Sequence, residues 1–166
     1  MSDINKKMQI NIPSLAEMQQ FANLMALAIN QSSLLVIFNG TLGAGKTTLI
    51  RFILQCFGCV DRIKSPTYNI VHEYDFPNRK VYHLDLYRTE TEEELVHIGL
   101  HDYVTSDDSI VFIEWGANKG ITADMVIDIA YNFENENRLV TVNAVSNAGL
   151  IMLNLLEGMC DKFTFK

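Results

Sequence analysis

Apolar residues change their spacing several times along this chain, and each change marks an element. Met8, Ile10 and Ile12 alternate with polar neighbours, the period of a half-buried strand, and Pro13 ends the run. Ser14-x-x-Glu17 has the form of a capping box. Leu15, Met18, Ala22, Met25 and Ile29 follow at spacings of three and four, which predicts an amphipathic helix to about Asn30. The unbroken apolar run Leu34 to Phe38 reads as a strand buried on both faces. Leu49, Ile50, Ile53, Leu54 and Phe57 return to helical spacing, and Gly58 closes that helix.

Further on, Tyr68 to Asp75 alternates, Pro77-Asn78 turns the chain, and Lys80 to Leu86 returns, which predicts a hairpin. Thr91-x-x-Glu94 opens a short acidic helix that ends at Gly99. Its Glu92, Glu93 and Glu94 stand in the first turn, where the helix dipole favours carboxylates, and read as a solvated face. Ser106-Asp107-Asp108 breaks the chain before Ile110-Val111-Phe112-Ile113, four apolar residues that read as a buried parallel strand. Met125 to Phe133 and Arg138 to Val145 alternate around Glu134-Asn135-Glu136-Asn137, predicting a second hairpin at the rim of the sheet. A C-terminal helix starts at Leu150.

Composition narrows the class. With 166 residues and 48% apolar content, the chain is expected to form one domain over 1–166 around one core without staples. The formal net charge is −7, and the 13 Lys and Arg residues include no run longer than Lys6-Lys7. Binding to a nucleic-acid backbone wants a basic stripe, so any RNA role would come through a partner. Three cysteines are too few for a secreted disulfide framework. Cys56-x-x-Cys59 stands at a helix C-terminus with no second pair, and reads as packing. No charged-then-apolar leader opens the chain and no run approaches the roughly 18 apolar residues of a membrane span, so a cytoplasmic protein is expected.

Candidate chemistry begins between the second strand and its helix. Gly40, Gly45, Lys46 and Thr47 fit the pattern GxxxxGK[ST]. Glycines let backbone N–H groups approach an anion, and the helix start adds the positive end of its dipole. Lys46 can reach terminal phosphates, and Thr47 offers a hydroxyl to Mg²⁺, which prefers a few protein oxygens plus phosphate and water. An ordinary strand-to-helix turn would explain the glycines but not Lys46 and Thr47. The fold class that follows is α/β and P-loop NTPase-like, a mixed sheet with a central parallel part, antiparallel hairpins at the edges and flanking helices.

Other polar residues have two readings each. In Lys64-Ser65-Pro66-Thr67-Tyr68, Thr67 is either a loop hydroxyl that senses a terminal phosphate or an ordinary strand-entry residue. Glu114, closing the buried run, is either the acidic residue of a metal site or the first residue of a loop. Asp85 stands near a strand terminus in His83-Leu84-Asp85-Leu86-Tyr87-Arg88. His97 and His101 are four apart, but Gly99 lies between them and no Glu follows the first, so neither reads as a ligand. His72 and His83 can face each other across the hairpin, and are assigned no chemistry.

Taken together, Gly40 to Thr48, Ser65-Pro66-Thr67-Tyr68, His83 to Arg88 and Glu114-Trp115 make the chain closely resemble the bacterial TsaE (formerly YjeE) family, over about Leu34 to Trp115. The resemblance implies a small P-loop ATPase required for threonylcarbamoyladenosine formation beside the tRNA anticodon, acting with the TsaB and TsaD proteins and meeting tRNA only through that complex. It implies that Gly43, Ala44, Gly45, Lys46, Thr47 and Thr48 hold the ATP phosphates and that Thr47 and Glu114 are Mg²⁺ ligands. Asp85 is similar to the family's second acidic position, in the metal shell or orienting water, so that Lys46, Asp85 and Glu114 carry the catalysis. Trp115 matches a tryptophan beside the site, and Arg138 falls near a hairpin residue expected to contact nucleotide.

Competing classes lack their marks. Asn118-Lys119 could begin the guanine-reading NKxD of a GTPase, but Ile121 stands where the Asp belongs and Asp85 has no glycine three residues on. A small-molecule kinase would need clustered arginines, and Arg51, Arg62, Arg79, Arg88 and Arg138 are scattered. None of these stands in a motif that marks a transition-state finger, so the chain alone is expected to be a slow ATPase, stimulated by a partner. A nucleotide-gated binding module with incidental hydrolysis stays open at this stage.

Overall fold

The computed structural model of the chain describes residues 4, 6–29, 33–59, 70–105 and 109–161. Their order is β1 (Lys6–Ile12), α1 (Leu15–Ile29), β2 (Leu34–Asn39), α2 (Lys46–Cys56), β3 (Val71–Phe76), β4 (Arg79–Asp85), α3 (Glu92–His97), α4 (Leu100–Val104), β5 (Ser109–Glu114), β6 (Met125–Tyr131), β7 (Arg138–Ala144) and α5 (Asn147–Cys160). The loop with Ser65, Pro66 and Thr67, and Tyr68 after it, lies outside the described residues.

Unbroken apolar strands need cover on both faces, and β2 and β5 receive it at the centre of a seven-stranded sheet ordered β1-β7-β6-β2-β5-β4-β3. β6, β2, β5 and β4 are mutually parallel neighbours, while β3 pairs antiparallel with β4, and β7 with β6 and β1. This is the mixed sheet with a parallel centre and antiparallel edges that the apolar pattern predicts. One detail differs, because the β6–β7 hairpin does not form the rim. β6 pairs with β2, and β1 takes the edge beyond β7, where its one-sided pattern fits: Lys7, Gln9 and Asn11 face solvent.

Because successive side chains point to opposite faces, each central strand divides between two cores. Leu34, Val36 and Phe38 of β2 and Ile110 and Phe112 of β5 join α1, α2 and α5 on one face, with Phe38 and Phe112 edge to face at 5.5 Å. Leu35, Ile37, Val111, Ile113 and Leu84 meet Leu95 of α3 and Leu100 of α4 on the other. On β4, Val81 belongs to the first core and Leu84 to the second. By the same alternation, His83, Asp85 and Glu114 lie on the face covered by α2.

Local signals set the helix starts. The Ser14 hydroxyl donates to the Glu17 carboxylate and accepts from the Ala16 N–H at 3.1 Å. Thr91 and Glu94 form the full capping box at α3. Among the described residues no helix is long and apolar enough to cross a membrane. Cys56, Cys59 and Cys160 are free thiols; Cys59 packs against the first core, whereas Cys56 is exposed and its Sγ donates to Asn23 Oδ1 at 2.7 Å.

Candidate nucleotide site

The loop from β2 to α2 starts at Gly40, whose φ of 143° is one that side-chain-bearing residues rarely adopt. A Cβ there would stand 2.4 Å from the Ile129 carbonyl oxygen, so the loop can lie against β6 only with glycine at its root. Lys46, first residue of α2, is 4% exposed rather than free in solvent. Its ammonium donates to the carbonyls of Gly40 at 2.7 Å and Thr41 at 3.0 Å, and lies 3.9 Å from the centre of the Trp115 ring. Burial lowers the lysine pKa, while the charges of Glu114 and Asp85 pull it back up.

Parallel pairing of β4 and β5 places Asp85 directly opposite Glu114. The two expected carboxylates therefore end adjacent strands, and β4 is an interior strand whose only edge neighbour is β3. Thr47 Oγ1 donates to both oxygens of Glu114, at 2.8 and 2.9 Å. Asp85 Oδ1 accepts from the N–H of Tyr87 at 3.0 Å, and the Tyr87 ring lies 4.9 Å from that of Trp115. Trp115 itself has φ 62° and anchors its N–H on the Phe38 carbonyl at 3.2 Å.

These groups line one open cavity of about 340 Å³ bounded by Leu42, Gly43, Gly45, Lys46, Thr47, Thr48, Asp85, Tyr87, Glu114 and Trp115. Most of the residues expected from the sequence are thus brought together. Ala44 is buried just beneath, and Arg138 lies behind the loop, its Nε donating to the Ala44 carbonyl at 3.1 Å and its guanidinium stacked 4.8 Å from Tyr131. Two larger clefts lie elsewhere. One, of about 560 Å³, runs between α1, α2 and the β3–β4 turn, and the other, of about 590 Å³, lies beside α3 and α4. Neither places a lysine and a threonine hydroxyl against paired carboxylates.

The donor set suits Mg²⁺ better than a metal held by protein alone. Among the described residues no group of three or more His, Cys, Asp or Glu could hold an ion. A hydroxyl touching one carboxylate, with a second carboxylate beside it, is what Mg²⁺ accepts when phosphate and water complete its octahedron.

His83 was missed. It does stand opposite His72 in the β3–β4 register, but its Nε2 also lies 2.8 Å from Glu114 Oε1. The available signal was the spacing His83-x-Asp85, which in a strand puts both side chains on one face.

A parallel-centred sheet with a glycine-rich loop between its central strand and a helix, opposite carboxylates ending two adjacent strands, defines an α/β protein of the P-loop NTPase-like class. The family model described as threonylcarbamoyl adenosine biosynthesis protein TsaE matches residues 12–140. The chain belongs to the TsaE family. It is 38% identical over 132 residues to the tRNA threonylcarbamoyladenosine biosynthesis protein TsaE of Haemophilus influenzae, covering 79% of this chain and 83% of that protein. It is 35% identical over 109 residues to the protein of the same name from Borreliella burgdorferi, covering 64% and 79%. The crystal structure of YdiB from Bacillus subtilis superposes with a TM-score of 0.78 over 96% of this chain and 99% of that one, at 23% identity, and so shares the fold.

Proposed function

We propose that this chain is one Mg²⁺-dependent ATPase domain that serves tRNA threonylcarbamoyladenosine formation in the cytoplasm, together with TsaB-like and TsaD-like partners. The observation that carries the reading is the single cavity in which Lys46 and Thr47, at the start of α2, face Glu114 and Asp85. Loop N–H groups of Gly43 to Thr48 and the Lys46 ammonium bind the ATP phosphates, the ammonium exchanging its carbonyl partners for phosphate oxygens. Thr47 and Glu114 would hold Mg²⁺, which would supply neutralising charge to the phosphate oxygens. Asp85 orients water, and Trp115 shields the lysine from bulk solvent. Arg138 braces the phosphate loop from behind through Ala44.

Among the described residues no arginine lines the cavity to serve the transition state, an element worth about 10³–10⁵ in rate. Turnover of the pure chain is therefore expected to be slow, and to rise with the partner pair and again with tRNA. Measuring ATP hydrolysis in those three mixtures tests the proposal. Fast turnover by the chain alone, unchanged by the partners, would leave a self-sufficient hydrolase instead. A chain that binds ATP and gains the partners' affinity without ever hydrolysing would be a nucleotide-gated binding module.

A further inference from the structure

The imidazole of His83 is fully buried, and Glu114, whose Oε1 it meets at 2.8 Å, is 2% exposed. Thr47 reaches both oxygens of the same carboxylate, so Oε1 has two partners and Oε2 has one. A carboxylate oxygen accepts, so Nε2 is the donor of this contact. Among the described residues Nδ1 has no hydrogen-bond partner. An apolar side chain of similar volume would fill this place without leaving a buried nitrogen unmet, so packing does not account for an imidazole here. What the ring adds is its hold on Oε1.

We propose that His83 is a positioning residue for Glu114, pinning Oε1 through Nε2 so that Oε2 and the Thr47 hydroxyl are set for a divalent cation. A glutamate has three side-chain torsions to fix before it can serve as a ligand, and a hydrogen bond from a ring wedged between strands removes that freedom in advance. Register makes the wedge possible. His83 stands opposite Phe112 and Asp85 opposite Glu114, so the ring reaches the carboxylate diagonally across one pair of strands. The inference rests on the reading of Glu114 and Thr47 as Mg²⁺ ligands and adds a residue to that site.

The test compares His83→Gln with His83→Asn in the full chain. A glutamine amide extends to the place of Nε2 and can still donate to Glu114, whereas an asparagine amide ends at the place of Nδ1 and cannot. Binding of a non-hydrolysable ATP analogue is titrated calorimetrically in EDTA and over a Mg²⁺ series, with thermal melts to establish folding. Should His83→Asn fail to fold, His83→Leu serves as the variant without a donor. The expected result is a Mg²⁺ requirement raised about 10–100-fold in His83→Asn, near that of the wild type in His83→Gln, with affinity in EDTA unchanged in both. The inference is overturned if the Mg²⁺ requirement does not move, if it rises equally in His83→Gln and His83→Asn, or if affinity in EDTA falls in parallel. A wild-type chain that binds the analogue with no Mg²⁺ dependence would overturn the metal-site reading as well, which separates the two failures.

Discussion

Lys46 is held by two loop carbonyls and a tryptophan face, yet it lines the cavity, so water can replace its ammonium when the side chain is cut back. Lys46→Ala should therefore fold while losing one or more charge-assisted phosphate contacts worth about 1.5–3 kcal/mol each. Calorimetry with ATP should show affinity reduced at least about tenfold and turnover abolished; unchanged affinity and turnover would remove the phosphate-site assignment. The two carboxylates should separate by role, because Glu114 touches Thr47 whereas Asp85 is tied to the Tyr87 N–H. Glu114→Gln should weaken Mg²⁺ dependence most, and Asp85→Asn should slow hydrolysis more than it weakens nucleotide binding. A larger loss of metal affinity on Asp85 would reverse the roles. Lys46, Thr47 and Glu114 were legible in the sequence because a glycine pattern or an apolar run points at them. His83 was not, since its partner lies on another strand and only register brings the two together.

The start of α5 shows how neighbouring elements are stitched. Ser146 caps the helix by accepting from the Gly149 N–H at 3.1 Å, and its hydroxyl donates to Asp124 Oδ1, while Asp124 Oδ2 accepts from the N–H of Leu35 on β2 at 2.9 Å. Helix and sheet close so tightly here that a Cβ on Gly149 would stand 2.0 Å from the Asp124 carbonyl oxygen. Alanine normally gains up to about 1 kcal/mol over glycine inside a helix. Here the obstacle is backbone, and overpacking costs about 1–3 kcal/mol. Gly149→Ala should thus lower the melting temperature by several degrees while ATP binding by the folded chain persists; a higher melting temperature would show that α5 shifts easily. This junction was hard to read in advance. The apolar pattern starts the helix at Leu150, whereas it begins at Asn147 behind the Ser146 cap. α1, β2 and α2 were legible because each has a clear period and a stop signal, whereas the edge position of β1 depends on pairing with β7, distant in sequence.

At the scale of the molecule, a net charge of −7 and a sequence with no Lys or Arg run longer than Lys6-Lys7 oppose direct capture of an RNA backbone. Labelled tRNA should show no saturable binding to the chain alone at physiological salt and should join only when the partner proteins are present. Tight binding by the chain alone, falling steeply with added salt, would contradict this. Fold class was readable from the alternation of apolar runs and helical spacing, but strand order was not, because it depends on which edges meet. That order also sets a timetable for synthesis. β2 is made early, yet its neighbours are β5, with Leu34 opposite Ile110, and β6, with Val36 opposite Met125. A chain emerging from the ribosome therefore presents an apolar strand with both edges unpaired until much of the remainder has appeared. The lysine half of the cavity, at the start of α2, is thus synthesised before its acidic half at the ends of β4 and β5.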